Sequence, residues 1–133
     1  MNKETEEIFV KNFIVKDKQE RVLYELGSVK KRGHIIQQLI SFLDSKYEVF
    51  CDKKVTDEIM LSTVQKYFDT NRLCYVIGDC ADDGKRLKFT DAFNRMMSDG
   101  GQYFIICDDG KTVVIKEEAY SSACKIILHK DCV

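Results

Sequence analysis

Apolar positions along the first third of the chain recur at helical spacing. Phe9, Val10, Phe13 and Ile14 fall on one stripe of a helix, although their aromatic and β-branched character also permits a strand. Asp17 and Glu20 have the spacing of a capping box ahead of Val22, Leu23 and Leu26, and Gly27 supplies a stop. Ser28 is placed to cap a third helix, whose apolar face is Ile35, Ile36, Leu39, Ile40 and Leu43 opposite Gln37, Gln38 and Ser41. Gly33 inside that helix costs about 1 kcal/mol relative to alanine, which favours a start near it.

Beyond Asp44 the period alternates between strand and helix. Residues 47–51 read as a strand, and Thr56 caps a helix with Met60, Val64, Tyr67 and Phe68 inward. Leu73 to Ile77 is a short apolar run of the kind expected in a strand buried on both faces. Strand, helix and strand in that order can form a right-handed crossover of the parallel kind. An acidic loop from Gly78 to Gly84 precedes a helix capped by Thr90, with Ala92, Phe93, Met96 and Met97 inward and Gly100-Gly101 at its end. Residues 102–107 and 112–116 flank Asp108-Asp109-Gly110-Lys111, a strong hairpin signal, and residues 124–130 form a further strand. The expectation is a single α+β domain over residues 1–133: N-terminal helices, then a mixed sheet of about five strands ending in an antiparallel hairpin plus strand, with helices on at least one face.

Composition narrows the class. The 133 residues are 44% apolar and 32% charged with a net charge of −1, a globular balance with no bulk charge that would announce nucleic acid. The acidic opening Met1 to Glu7 lacks the basic and continuous apolar regions of a signal peptide, and no apolar run reaches the roughly 18 residues of a membrane span. A cytoplasmic protein without a membrane partner is expected. Its six cysteines then read as thiols. Cys51, Cys74 and Cys107 close or lie within apolar runs and read as packed core residues, while Cys132 adjoins the C-terminus. There is no C-x-x-C pair, and His34 and His129 are the only histidines, so a zinc site has little support.

Charge is unevenly distributed. Residues 11–34 carry seven bases against three acids, whereas residues 35–133 carry 13 bases against 16 acids. Arg21, Lys30, Lys31 and Arg32 are therefore candidates to bind an acidic or phosphate-bearing partner, against the plainer reading of a solvated helix face. Nucleic acid is not expected as that partner, because no aromatic residues are interleaved for base stacking. Asp79, Asp82 and Asp83 sit at the carboxyl end of a buried strand and are candidate Mg²⁺ or Ca²⁺ ligands, although their spacing is not that of an EF-hand and Asp-rich loops are ordinarily turns.

Cys80 in that loop is a candidate nucleophile whose acidic neighbours oppose thiolate formation, and Cys124 is another; His129, late in an edge-like strand, reads as exposed. Ser121-Ser122 lie outside any G-x-S-x-G elbow, Gly100-Gly101 lack the context of a phosphate loop, and Glu117-Glu118 read as a charged strand end. Tyr103 and Tyr120 suit either core or interface. With no acid–base constellation and no cofactor loop, the expected role is a small protein-binding module of inhibitor, immunity or regulatory-subunit type. The alternative is a small metal-dependent hydrolase or ligand-binding protein using Mg²⁺ or Ca²⁺ at residues 79–83.

Overall fold

The computed structural model describes residues 1–52, 54–117 and 125–131. The expectations attached to Glu118, Tyr120, Ser121, Ser122, Cys124 and Cys132 lie outside these residues. Among the described residues no helix is long and apolar enough to cross a membrane.

The fold is α+β. Helices α1 (Lys3–Phe13), α2 (Gln19–Leu26) and α3 (Arg32–Gln38) come first, followed by β1 (Glu48–Asp52), α4 (Asp57–Gln65), β2 (Leu73–Gly78), β3 (Arg86–Lys88), α5 (Phe89–Ser98), β4 (Tyr103–Cys107), β5 (Thr112–Lys116) and β6 (Lys125–His129). The described strands form one six-stranded sheet in the order β1-β6-β5-β4-β2-β3. Every pairing in it is antiparallel, so the expected mixed sheet with a parallel crossover is corrected. β1 and β2 do point the same way, but β6, β5 and β4 lie between them.

The sheet is the middle of three layers. Phe9, Phe13, Val22, Ile35 and Leu39 of α1–α3 and the turn after them cover one face, against Tyr75, Ile77, Phe104, Ile115 and Leu128. Met60, Val64, Phe89, Phe93 and Met96 of α4 and α5 cover the other, against Cys74, Val76, Ile105, Val114 and Ile127. Both faces of β2, β4 and β5 are thus dry, which is why these strands are uninterrupted apolar runs despite antiparallel pairing. Cys74 and Cys107 are buried as expected, whereas Cys51, on edge strand β1, is exposed.

Local signals mostly place the elements. Thr56 caps α4, its side chain accepting from the Ile59 N–H. Three caps differ from expectation. α3 begins at Arg32, after Lys31, with no side-chain cap, and Ser28 Oγ bonds the Lys31 N–H in the turn before it. α2 is entered through a 3-10 turn at Lys16–Lys18 with no side-chain cap, instead of an Asp17–Glu20 box. α5 begins at Phe89, before Thr90, because the Phe89 N–H bonds the Arg72 carbonyl at 3.0 Å and its ring is buried. β3 has only three residues, too few for a periodic signal.

The Asp-Gly hairpin joins β4 to β5. Asp109 Oδ1 accepts from the Lys111 and Thr112 N–H groups at 2.8 and 3.1 Å, and Gly110 takes φ of 70°. A Cβ at Gly110 would also lie 3.2 Å from Ile8 Cγ2 of α1. Gly110→Ala is therefore expected to lower the unfolding free energy by about 1–2 kcal/mol; an unchanged urea midpoint would show that this left-handed turn is not required.

Candidate functional site

Helix α1 starts at Asn2, whose side chain accepts from the Thr5 N–H. From there Glu6, Phe9, Val10 and Phe13 share the buried side of the helix. On α3, Arg32 precedes Ile35 and Ile36 by three and four residues, so it too lies on the buried side. Glu6 and Arg32 are 4% and 8% exposed, and they meet.

Arg32 uses every N–H of its guanidinium. Nη1 and Nη2 donate to Glu6 Oε1 and Oε2, each at 2.7 Å. Nε and Nη2 donate to Asp83 Oδ2 and Oδ1 at 2.8 and 2.9 Å. The second Nη1 hydrogen reaches the Leu26 carbonyl, near the end of α2, at 2.9 Å. The Tyr75 hydroxyl of β2 donates to Glu6 Oε2 at 2.7 Å and accepts from the Asn2 N–H at 3.0 Å, while the Gly78 N–H donates to Asp83 Oδ1 at 3.2 Å. Burial alone would weaken the guanidinium's hold on its proton, but the bonds and charges of Asp83 and Glu6 outweigh it and raise the pKa above the ordinary arginine value. Burial and the bond to Glu6 push the Tyr75 phenol up to about 12, so it stays a proton donor.

Beside this network, between the start of α1 and the α2–α3 turn, opens a cleft of about 840 Å³. Leu23 and Leu26 line it with Arg32 and Glu6. Its rim carries Tyr24, Val29 and Met1, which are 68%, 98% and 71% exposed. The turn is tightly bonded: the Ser28 carbonyl accepts from the N–H groups of Lys31 and Arg32 at 3.2 and 2.9 Å, and Ser28 Oγ accepts from Lys31 N–H at 3.3 Å. Val29 stands at its tip. Lys31 Nζ lies 5.3 Å from the Tyr24 ring centroid, and Lys30 is exposed beside it.

The four basic candidates thus separate. Lys30 and Lys31 stay on the surface next to the cleft. Arg32, expected with them on a charged face, is an internal hub, so the exposed patch is smaller than the sequence suggested. Arg21 donates to Glu25 at 2.6 Å and to Gln38 at 3.0 Å and lies over Phe42, away from the cleft lining.

The acidic candidates also diverge. Asp83 turns to Arg32. Asp82 turns to the opposite layer, accepting from Tyr103 Oη at 2.9 Å, Arg95 Nη1 at 2.8 Å and Lys85 Nζ at 3.4 Å. Burial would raise the Asp82 pKa, but the bonds from Tyr103, Arg95 and Lys85 dominate and hold it below the usual carboxylate value. Asp79 is exposed. Asp79, Asp82 and Asp83 do not form one donor set for the expected Mg²⁺ or Ca²⁺, because protein cations and hydroxyls already take the lone pairs of two of them. Among the described residues no group of three or more His, Cys, Asp or Glu is arranged to hold a metal ion.

Cys80 is half-buried, and its thiol is pushed up to about 11, first by burial and then by nearby acids. His129 is buried where exposure was expected: Nδ1 lies 2.9 Å from Thr112 Oγ1, and its ring lies 4.5 Å from that of Tyr67. Glu6, Tyr24 and Val29 are site residues that the sequence reading did not single out, and of these Glu6 carried a signal. Its signal was its place on the apolar stripe, three residues before Phe9 and seven before Phe13.

No family model matches the chain, and no curated protein or solved structure matches it either.

Arg32→Met leaves the buried Glu6 and the half-buried Asp83 carboxylates without their cation and is expected to cost about 3–5 kcal/mol in urea unfolding, part of which returns when Glu6→Gln and Asp83→Asn are added. Equal stability of Arg32→Met and wild type would refute the hub. Asp82, with its folded pKa lowered, contributes stability that is fully present above the ordinary value near 3.8 and is lost as pH falls through the folded value. Asp82→Asn is expected to flatten the acid limb of a melting-temperature profile; an unaltered limb would contradict that linkage.

Proposed function

We propose that the chain is a protein-binding module whose contact surface is the α2–α3 turn and the adjoining cleft. One observation carries this reading: Val29, 98% exposed at the tip of a hydrogen-bonded turn, and Tyr24, 68% exposed, flank a largely apolar cleft. Large apolar side chains gathered on a rim mark a contact surface more often than isolated ones do. Tyrosine beside a cation is also typical of interface centres.

The complementary partner is an acidic protein surface. It would seat an apolar side chain in the cleft over Leu23 and Leu26 and place carboxylates against Lys30 and Lys31. The pair of lysines would steer encounter, while Tyr24 and Val29 would supply the buried contact. Inhibitor, immunity and regulatory-subunit roles are all of this kind. A cytoplasmic setting belongs to the same reading.

The test is capture of partners from the native host with the tagged chain, followed by titration of the purified partner. Val29→Asp and Tyr24→Ala change exposed side chains, so folding is expected to shift by less than about 0.5 kcal/mol. Affinity is expected to fall at least about tenfold, equivalent to roughly 1.4 kcal/mol. Lys30→Glu with Lys31→Glu is expected to slow association and to abolish its dependence on salt. An affinity within a factor of about two for all these variants, on a scale where tenfold is 1.4 kcal/mol, or retention of nucleic acid in place of protein, would overturn the assignment.

A further inference from the structure

The sheet register sets two thiols opposite each other. In the β2–β4 ladder Cys74 is the direct partner of Cys107. Both side chains lie on the α4–α5 face, and both are buried. The ladder also defines the type of pair. Val76 bonds toward β3, its N–H donating to the Lys85 carbonyl at 2.9 Å and its carbonyl accepting from Gly84 N–H at 2.8 Å. Asp79, of opposite parity, bonds toward the β4 side through the Gln102 carbonyl at 2.9 Å. Cys74, two residues before Val76, therefore directs its backbone toward β3 and faces Cys107 as a non-hydrogen-bonded pair.

Such pairs bring the Cα atoms to about 4.5 Å, the closer of the two antiparallel spacings. That separation lies inside the window of roughly 4.4–6.8 Å that a disulfide spans. Cys51 of β1 stands opposite Ile126 of β6 in its ladder, and Cys80 lies in the loop after β2.

We propose that Cys74 and Cys107 form a redox-active dithiol, a modification site at which a disulfide-class oxidant such as glutathione disulfide bridges β2 to β4. In the reaction the two thiols lose two protons and two electrons and one S–S bond forms between them. The glutathione S–S bond breaks, and the two glutathione sulfurs take up those protons as thiols. The bridge closes a loop that contains β2, β3, α5 and β4, and so restricts the unfolded chain.

Burial makes this a guarded site. It pushes the Cys74 thiol up to about 12 and raises that of Cys107 as well, so little thiolate is present at neutral pH. Oxidation of the folded chain then follows local opening at the sheet edge, where three-residue β3 is the only strand outside β2 among the described residues. The inference does not depend on the docking surface proposed above.

The experiment removes the kinetic barrier by unfolding the full chain and refolding it in a glutathione redox buffer. Remaining thiols are then alkylated and peptides mapped by mass spectrometry. The expected product is one species lighter by two hydrogens, carrying a Cys74–Cys107 bridge and melting several degrees above the reduced chain. Cys74→Ala and Cys107→Ala are each expected to lose both the mass change and the shift. Recovery of Cys74 and Cys107 as alkylated thiols, or bridges to Cys51 or Cys80 in comparable yield, would overturn the proposal.

Discussion

A single guanidinium connects the pieces of the N-terminal layer. Apolar packing holds α1, α2 and α3 onto the sheet but is non-directional, and alone it would tolerate sliding of one helix over the next. Arg32 supplies the missing direction. Its planar fork bonds Glu6 on α1, the Leu26 carbonyl near the end of α2 and Asp83 in the β2–β3 connection, so these elements keep one mutual arrangement. A lysine could not replace it, since an ammonium has three donors and no fixed plane. Full use of the donors also makes burial tolerable, because a desolvated ion pair offsets its cost only when every lone pair and proton is engaged.

The β2–β3 connection extends that role across the sheet. Adjacent aspartates point to opposite layers: Asp83 toward Arg32 under the α1–α3 layer, and Asp82 toward Tyr103 and Arg95 of α5 on the other side. The loop is a clip over one end of the sheet. Its acidity balances basic groups of the protein itself, which accounts for a cluster that resembles a cation site in sequence. The same frame ties the α2–α3 turn down through the Arg32 bond to the Leu26 carbonyl and leaves Val29 and Tyr24 exposed.

What could be read from the sequence follows from the range of the interactions. The α1 stripe, the Thr56 cap and the Asp-Gly hairpin are local patterns, and each appears where its pattern predicts, while the α4 stripe holds for Met60 and Val64 but the helix ends at Gln65, before Tyr67 and Phe68. Strand order is not local. A run such as Leu73 to Ile77 has the same composition in a parallel or an antiparallel sheet once both faces are covered, so the crossover inferred from it was wrong. Arg32 and Glu6 are 26 positions apart, and Arg32 and Asp83 are 51 apart. Nothing near Lys30-Lys31-Arg32 reveals that the third cation is internal, except its spacing to Ile35 and Ile36. Cys51 was misjudged for a related reason: its apolar run ends on β1, which is an edge strand among the described residues.

The strand order also governs the order of assembly. β1 is the earliest strand in sequence, yet its ladder partner is β6, the last, with registers such as Cys51 opposite Ile126. The β4–β5 hairpin closes over a four-residue turn and can form on local contacts, whereas β2 reaches β4 across 25 to 33 positions, from Gly78 opposite Tyr103 to Cys74 opposite Cys107. β1 must wait with an unmatched edge until β6 arrives, and the loop entropy of that long separation is met late. Closure of the sheet at β1 thus carries the largest loop-closure cost of any ladder among the described strands.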